Sequence, residues 1–191
     1  MQHLTVFFHF SFMGRYNQIW VSYFEDLRNI HPHASVCLEE IFHLVSSPKW
    51  QKEIADCKID PINKRKLPSF TPSGVFSQRN NNGLIRYSGI ICLDIDHVKD
   101  VAALKERCKQ IPWIWCSFIT PSGSGLKVFV RTQTHQDEFK WIEAEIAVFL
   151  YELTGFMRDD KAKDLARLQF VSHDENLYLN NDAKNFVKGS H

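Results

Sequence analysis

The sequence predicts an α+β domain built on an antiparallel or mixed sheet with helices on one face. Three observations lead there. Apolar and β-rich runs occupy 89–96, 113–119 and 126–132. Between and after them lie two stretches of helical periodicity: Val101, Leu104 and Cys108, then Phe139, Ile142, Ile146, Phe149 and Leu153. Finally, only Pro121-Ser122-Gly123-Ser124-Gly125 separates the second run from the third. A loop that short cannot carry a crossover and closes an antiparallel hairpin.

Taken in order, Trp20–Phe24 alternates enough to form a strand, and Leu38–Val45 and Pro48–Cys57 read as two short helices, the second with proline in its first turn. From Lys58 to Asn82 the pattern breaks up into a long, partly basic connection marked by Lys64-Arg65-Lys66, Pro68, Pro72, Gly74 and the Asn80-Asn81-Asn82-Gly83 turn. A strand at Gly89–Asp96 leads into a helix at about 98–110. Trp113–Ile119 and Leu126–Thr132 form the hairpin, and a long helix over Gln136–Leu153 ends at Gly155. One further short strand is expected near Leu168–Val171, giving the order β-α-β-β-α-β.

Composition narrows the function classes. A chain of 191 residues with 44% hydrophobic and 13% aromatic residues can bury a sizeable core. Its 23 basic and 22 acidic residues exclude binding of nucleic acid through bulk positive charge, so any such binding needs a local patch. The five cysteines, at 37, 57, 92, 108 and 116, show no Cys-x-x-Cys pair, which disfavours a zinc module and reads as reduced, buried thiols of a cytoplasmic protein. The apolar run Leu4–Met13 is interrupted by His9 and is too short to span a bilayer. Residues 1–20 therefore read as an extension or an extra strand, and no membrane partner is expected.

The residues with most chemical content are Asp94 and Asp96. In a strand they project from one side while Ile91, Leu93 and Ile95 fill the other. Two carboxylates so close repel unless a cation sits between them, so the pair suits a divalent metal with oxygen ligands, Mg2+ or Mn2+. A strand running out into a polar loop, with both acids solvated, gives the same pattern. In the hairpin turn, Ser122, Gly123, Ser124 and Gly125 offer hydroxyls and backbone N–H groups that can cradle phosphate, although a plain turn needs the same residues. Lys127 shares a strand face with Phe129 and Arg131, where it can meet a triphosphate or simply face solvent. The interleaved run Arg158–Asp174 can supply a third carboxylate, and Arg167 within it a charge for phosphate. Alternatively that run is a solvated face. The histidines form no recognisable catalytic order.

Four segments, Leu67-Pro68 to Gly74-Val75-Phe76, Ser88 to His97, Ser122 to Lys127 and Lys163 to Asp174, together resemble the BT4734-like, or VirE N-terminal-like, domain of Bacteroidetes and phage or mobile-element proteins. This is a branch of the archaeo-eukaryotic primase, or primase-polymerase, superfamily. The resemblance runs from about Val21 to Phe186. It implies an RRM-like catalytic unit at 83–186 beside an N-terminal α/β unit at 21–82, with 187–191 as a tail. It also implies a metal-dependent nucleotidyltransferase of DNA replication. Asp94, Asp96 and Asp159 fall on the metal-binding and catalytic positions, with Asp160 and Asp164 competing for the third. Ser122, Gly123, Ser124, Gly125, Lys127 and Arg167 fall on the nucleotide-binding ones. The implied partners are nucleoside triphosphates, a single-stranded DNA template and a replicative helicase. Lys127 stands where many superfamily members carry histidine, which leaves a non-catalytic module binding nucleotide or single-stranded nucleic acid as the alternative.

Overall fold

The computed structural model describes residues 18–156, 164–187 and 189. Strand β1 (Trp20–Phe24) lies between β2 (Ala34–Cys37) and β3 (Ser69–Thr71), antiparallel to both. Helix α1 (Leu38–Ser46) buries Leu38, Ile41, Phe42 and Val45, a single stripe at helical spacing. A 3-10 turn at Pro48–Trp50 leads to α2 (Gln51–Ile59), which buries Ile54 and Cys57. A second 3-10 segment, Pro61–Lys66, then starts where the Asp60 carboxylate accepts the Ile62 N–H at 3.1 Å and proline takes the first position. The connection expected to be irregular thus contains regular pieces, including β4 (Gly74–Phe76), which forms a two-stranded ribbon with β5 (Leu84–Tyr87) beyond it.

The second half follows the expected order closely. Strand β6 (Ile90–Ile95) is followed by α3 (Val101–Lys109), whose first turn is capped by Asp100 accepting from the Ala103 N–H at 2.9 Å. Strands β7 (Ile114–Ile119) and β8 (Leu126–Arg131) form the hairpin, and α4 (Phe139–Thr154) ends at Gly155 in the left-handed conformation with φ 77°. Two short strands close the list, β9 (Gln169–Phe170) and β10 (Tyr178–Leu179).

Two four-stranded sheets result, ordered β2-β1-β3-β9 and β10-β7-β8-β6, with all strand pairs antiparallel. Because β6 and β7 are each antiparallel to β8, which lies between them, they run parallel to one another on either side of the crossover helix α3. The strand expected near 168–171 exists, but it joins the first sheet by pairing with β3. That placement ties the segment after α4 to the first sheet.

The expectation of helices on one face needs correction, because both faces of the second sheet are covered. Ile91, Leu93 and Ile95 pack with Leu104, Cys108, Ile142 and Ile146 of α3 and α4. On the opposite face Ile90, Trp115, Phe118 and Phe129 pack with Phe42, Ile54 and Phe70 from α1, α2 and β3. The Phe42 ring meets Trp115 and Phe129 edge-on at centroid distances of 5.1 and 5.0 Å, the offset geometry that aromatic quadrupoles favour. A second correction concerns α4. Its buried line is Phe139, Ile142, Ile146, Leu150 and Thr154, so the packing advances by four residues per turn and leaves Leu153 56% exposed. All five cysteines are free thiols, four of them buried and Cys92 half-buried.

Among the described residues no helix is long and apolar enough to cross a membrane. The extension expected at 1–20 lies outside the described residues up to position 17, as do Asp159 and Asp160.

Candidate metal and phosphate site between the sheets

Alternation along β6 decides where the site lies. Its Ile91 face is consumed by the helical core, so Ile90, Cys92 and Asp94 face the first sheet. Ile90 is buried and Cys92 half-buried against that second core; Asp94, one step further along, sits where apolar packing gives out. Register places Lys127 of β8 directly opposite Asp94. The Lys127 Nζ donates to Asp94 Oδ2 at 2.9 Å and also to Gln169 Oε1, so a residue of the first sheet completes a contact inside the second. Lys127 is only 1% exposed, and the Asp94 side chain 13%.

The other Asp94 oxygen is the informative one. Asp94 Oδ1 is buried and accepts no hydrogen bond among the described residues. An unsatisfied buried carboxylate oxygen costs on the order of 1–3 kcal/mol, a debt that a ligand can remove.

Asp96 is half-buried at the end of the strand, and the backbone beside it is tightly constrained. His97 takes φ 59°, unusual for a residue with a side chain, and the Val98 N–H then reaches Ser124 O at 2.9 Å. This contact ties the end of β6 to the glycine-serine turn. Gly125 is required there: a Cβ would fall 2.6 Å from Ile95 O, 2.9 Å from Thr120 Oγ1 and 3.0 Å from Asp96 Oδ1. Above it the hydroxyls of Thr120, Ser122 and Ser124 form a chain with successive Oγ separations of 3.1 Å, and Gly123 turns through φ 78°. The acidic pair and the hairpin are therefore one constellation, with Asp96 and Gly125 in contact.

The third segment contributes at its edge. Arg167 and Asp164 are both exposed and line a small cleft with Ser73, Cys92 and Gln169. Asp164 thus lies exposed at the edge of that cleft, and Asp159 lies outside the described residues.

Three residues were missed by sequence reasoning. Gln169 holds Lys127, as described above. Lys64, in the Pro61–Lys66 segment, places its Nζ 5.1 Å from the centroid of the Phe170 ring. Burial lowers the Lys64 pKa first, and Lys127 and Arg167 lower it further, whereas Asp94 and Asp96 raise it. Lys64 therefore belongs electrostatically to the site. Lys58 lies over the hairpin, with its Cε 3.3 Å from where a Gly123 side chain would begin. The basic run at 64–66 was a signal for Lys64; nothing local marks Gln169 or Lys58.

Asp174 has a different job. It is buried and accepts from Lys105 Nζ at 2.6 Å, the Ile119 N–H at 2.9 Å and the Asn176 N–H at 3.1 Å. A carboxylate with its acceptor sites filled this way pins α3 to the end of β7.

No curated protein and no solved structure matches this chain. A family model does match, over residues 63–179, more than half of the sequence and a span that contains Lys64, Asp94, Asp96, the hairpin, Lys127, Arg167 and Gln169. The chain therefore belongs to the family described as BT4734-like, N-terminal domain.

Proposed function

We propose that this domain is a metal-dependent nucleotidyltransferase of the primase-polymerase type, working in the cytoplasm within a replication or mobile-element protein. In this reading β6-α3-β7-β8 with α4 is the RRM-like catalytic unit, and residues 21–82 form the N-terminal unit that closes over it. The observation that carries the reading is the buried Asp94 Oδ1, without a hydrogen-bond partner among the described residues, at the strand end beside Asp96 and the glycine-serine turn. Two hard carboxylates with an oxygen to spare are a donor set that fits Mg2+ or Mn2+. Asp94 and Asp96 would hold the metal, with Asp159 as the proposed third ligand. Bound there, the metal supplies activation of a 3′-hydroxyl and neutralisation of the leaving pyrophosphate.

The chain's own residues do the rest. Lys127, packed between Asp94 and Gln169, fixes the orientation of the Asp94 carboxylate so that Oδ1 points away from the ammonium. Ser122, Ser124 and the turn backbone offer donors to phosphate oxygens, and Arg167 lines a small cleft with Cys92 and Gln169. The partners are nucleoside triphosphates and a single-stranded DNA template, with a replicative helicase acting on the same substrate. The test is incorporation of labelled nucleotide on a single-stranded template with Mg2+ or Mn2+. Wild-type protein should incorporate and Asp94→Asn/Asp96→Asn should not; equal incorporation by both removes the catalytic assignment.

One observation favours a second reading, a nucleotide or single-stranded nucleic-acid binding module without catalysis. Lys127 already neutralises one oxygen of Asp94, which weakens the pull of the pair on a metal. Single-stranded DNA binding that survives loss of both carboxylates, with no incorporation at any metal concentration, selects this reading.

A further inference from the structure

We propose that Lys58 and Lys64, from α2 and the 3-10 segment after it, clamp the polyphosphate of a nucleoside triphosphate against the Ser122–Gly125 hairpin and the acidic pair. The proposal rests on the site reading above and assigns it a second wall, contributed by the N-terminal half of the chain.

Geometry supplies two anchor points. Over the hairpin, Lys58 rests on Gly123, beside the exposed hydroxyls of Ser122 and Ser124. An ammonium on a flexible stem, two hydroxyls and an open turn are the groups that take a terminal phosphate. Towards the acidic pair, half-buried Lys64 stands on Phe170, the neighbour of Gln169, whose amide oxygen receives Lys127.

Charge balance points the same way. Lys105 and Lys127, the buried lysines, are each paired with a carboxylate, but among the described residues Lys64 makes no ion pair. It faces Lys127 and Arg167 as well as Asp94 and Asp96. With Lys58 above the turn, three lysines, Lys58, Lys64 and Lys127, gather about Asp94 and Asp96. Burial makes the half-buried Lys64 ammonium costly to hold without an anion, Lys58 is exposed, and a polyanion lying from the hairpin to the acidic pair meets both.

The experiment is calorimetric titration of the whole chain with magnesium dATP and, separately, with deoxyadenosine. Lys58→Gln and Lys64→Gln should each weaken dATP binding about tenfold, the size expected for losing one charge-assisted contact. Lys58→Arg and Lys64→Arg should stay within about threefold of wild type, since charge is kept. Deoxyadenosine binding should be unchanged throughout. Lys52→Gln, on the same helix α2 but paired with Asp56 at 3.4 Å in solvent, should bind dATP like wild type. The clamp is overturned if both glutamine variants bind dATP as tightly as wild type, or if Lys52→Gln loses as much as they do. Failure of wild-type protein to bind dATP at all instead removes the proposed function, and the clamp with it.

Discussion

Replacing Lys127 by methionine isolates what holds the site together. The Nζ lies 2.9 Å from Asp94 Oδ2 and the lysine is 1% exposed, so no water replaces it when it is removed. At an effective dielectric constant of about 20, two unit charges at that separation attract by about 5–6 kcal/mol. Part of this is returned because the ammonium no longer has to be desolvated. Methionine keeps most of the volume, leaving Asp94 buried with neither oxygen partnered and Gln169 without its donor. The expected loss is about 3–5 kcal/mol, the range for breaking a buried pair from one side. Urea unfolding followed by circular dichroism measures it, with an unchanged m-value as the check that the native state is intact. The double variant Lys127→Met/Asp94→Leu removes the stranded charge as well and should cost at least about 2 kcal/mol less than the two single changes summed. A single-variant loss under about 1 kcal/mol, or strict additivity in the cycle, would refute the picture of a tightly coupled buried pair.

Three further outcomes follow from particular contacts. Asp174→Ala leaves Lys105 buried and the Ile119 N–H unpartnered, and should cost about 3–5 kcal/mol in the same urea assay; a loss under 1 kcal/mol contradicts the pinning role. Gly125→Ala drives a Cβ into Ile95 O and Asp96 Oδ1 and should lower both stability and nucleotide binding, whereas Gly155→Ala, with nothing within 4 Å, should cost only about 1 kcal/mol of backbone strain. Reversed ranking of the two glycines by thermal unfolding would show that the turn is looser than described. Finally, burial pushes the thiols of Cys37 and Cys108 from the ordinary 9.0 up to about 11 and about 12, and those of Cys92 and Cys116 well up. A raised thiol pKa means the folded chain keeps protons that the unfolded chain has released above pH 9, so stability is full below that pH and falls as pH rises from 9 towards 12. Urea midpoints that stay level across pH 8.5–11, or rapid modification of all five thiols in native protein at pH 8, would contradict the burial.

Legibility in the sequence followed contact range. β6, α3, β7, β8 and α4 were readable because each repeats its apolar residues at a local period and the hairpin turn is five residues long. β3 was not, because Ser69 and Thr71 are polar yet fully buried; the Thr71 hydroxyl donates to Gly74 O at 3.0 Å, which hydropathy cannot register. Its partners are also remote, β1 on one side and β9 on the other. The site divides in the same way. Asp94 and Asp96 announce themselves by alternation, and Lys127 by sharing a face with Phe129. That Lys127 is buried could not be seen, since its cover is Gln169, carried there by a strand of the other sheet. Lys58 and Lys64 were hidden for the same reason: their nearness to the hairpin and the acids is a property of how the two sheets meet.

The role proposed for Asp94 and Asp96 is to hold a catalytic divalent metal beside the hairpin. Its most direct test is a crystal structure of the chain soaked with Mn2+ and a non-hydrolysable nucleoside triphosphate, with the metal located by anomalous scattering. A manganese peak bonded to Asp94 Oδ1 and an Asp96 oxygen, with phosphates lying over residues 122–127, is the expected result. An ordered nucleotide with no metal at the two carboxylates, or manganese bound only elsewhere, would contradict it.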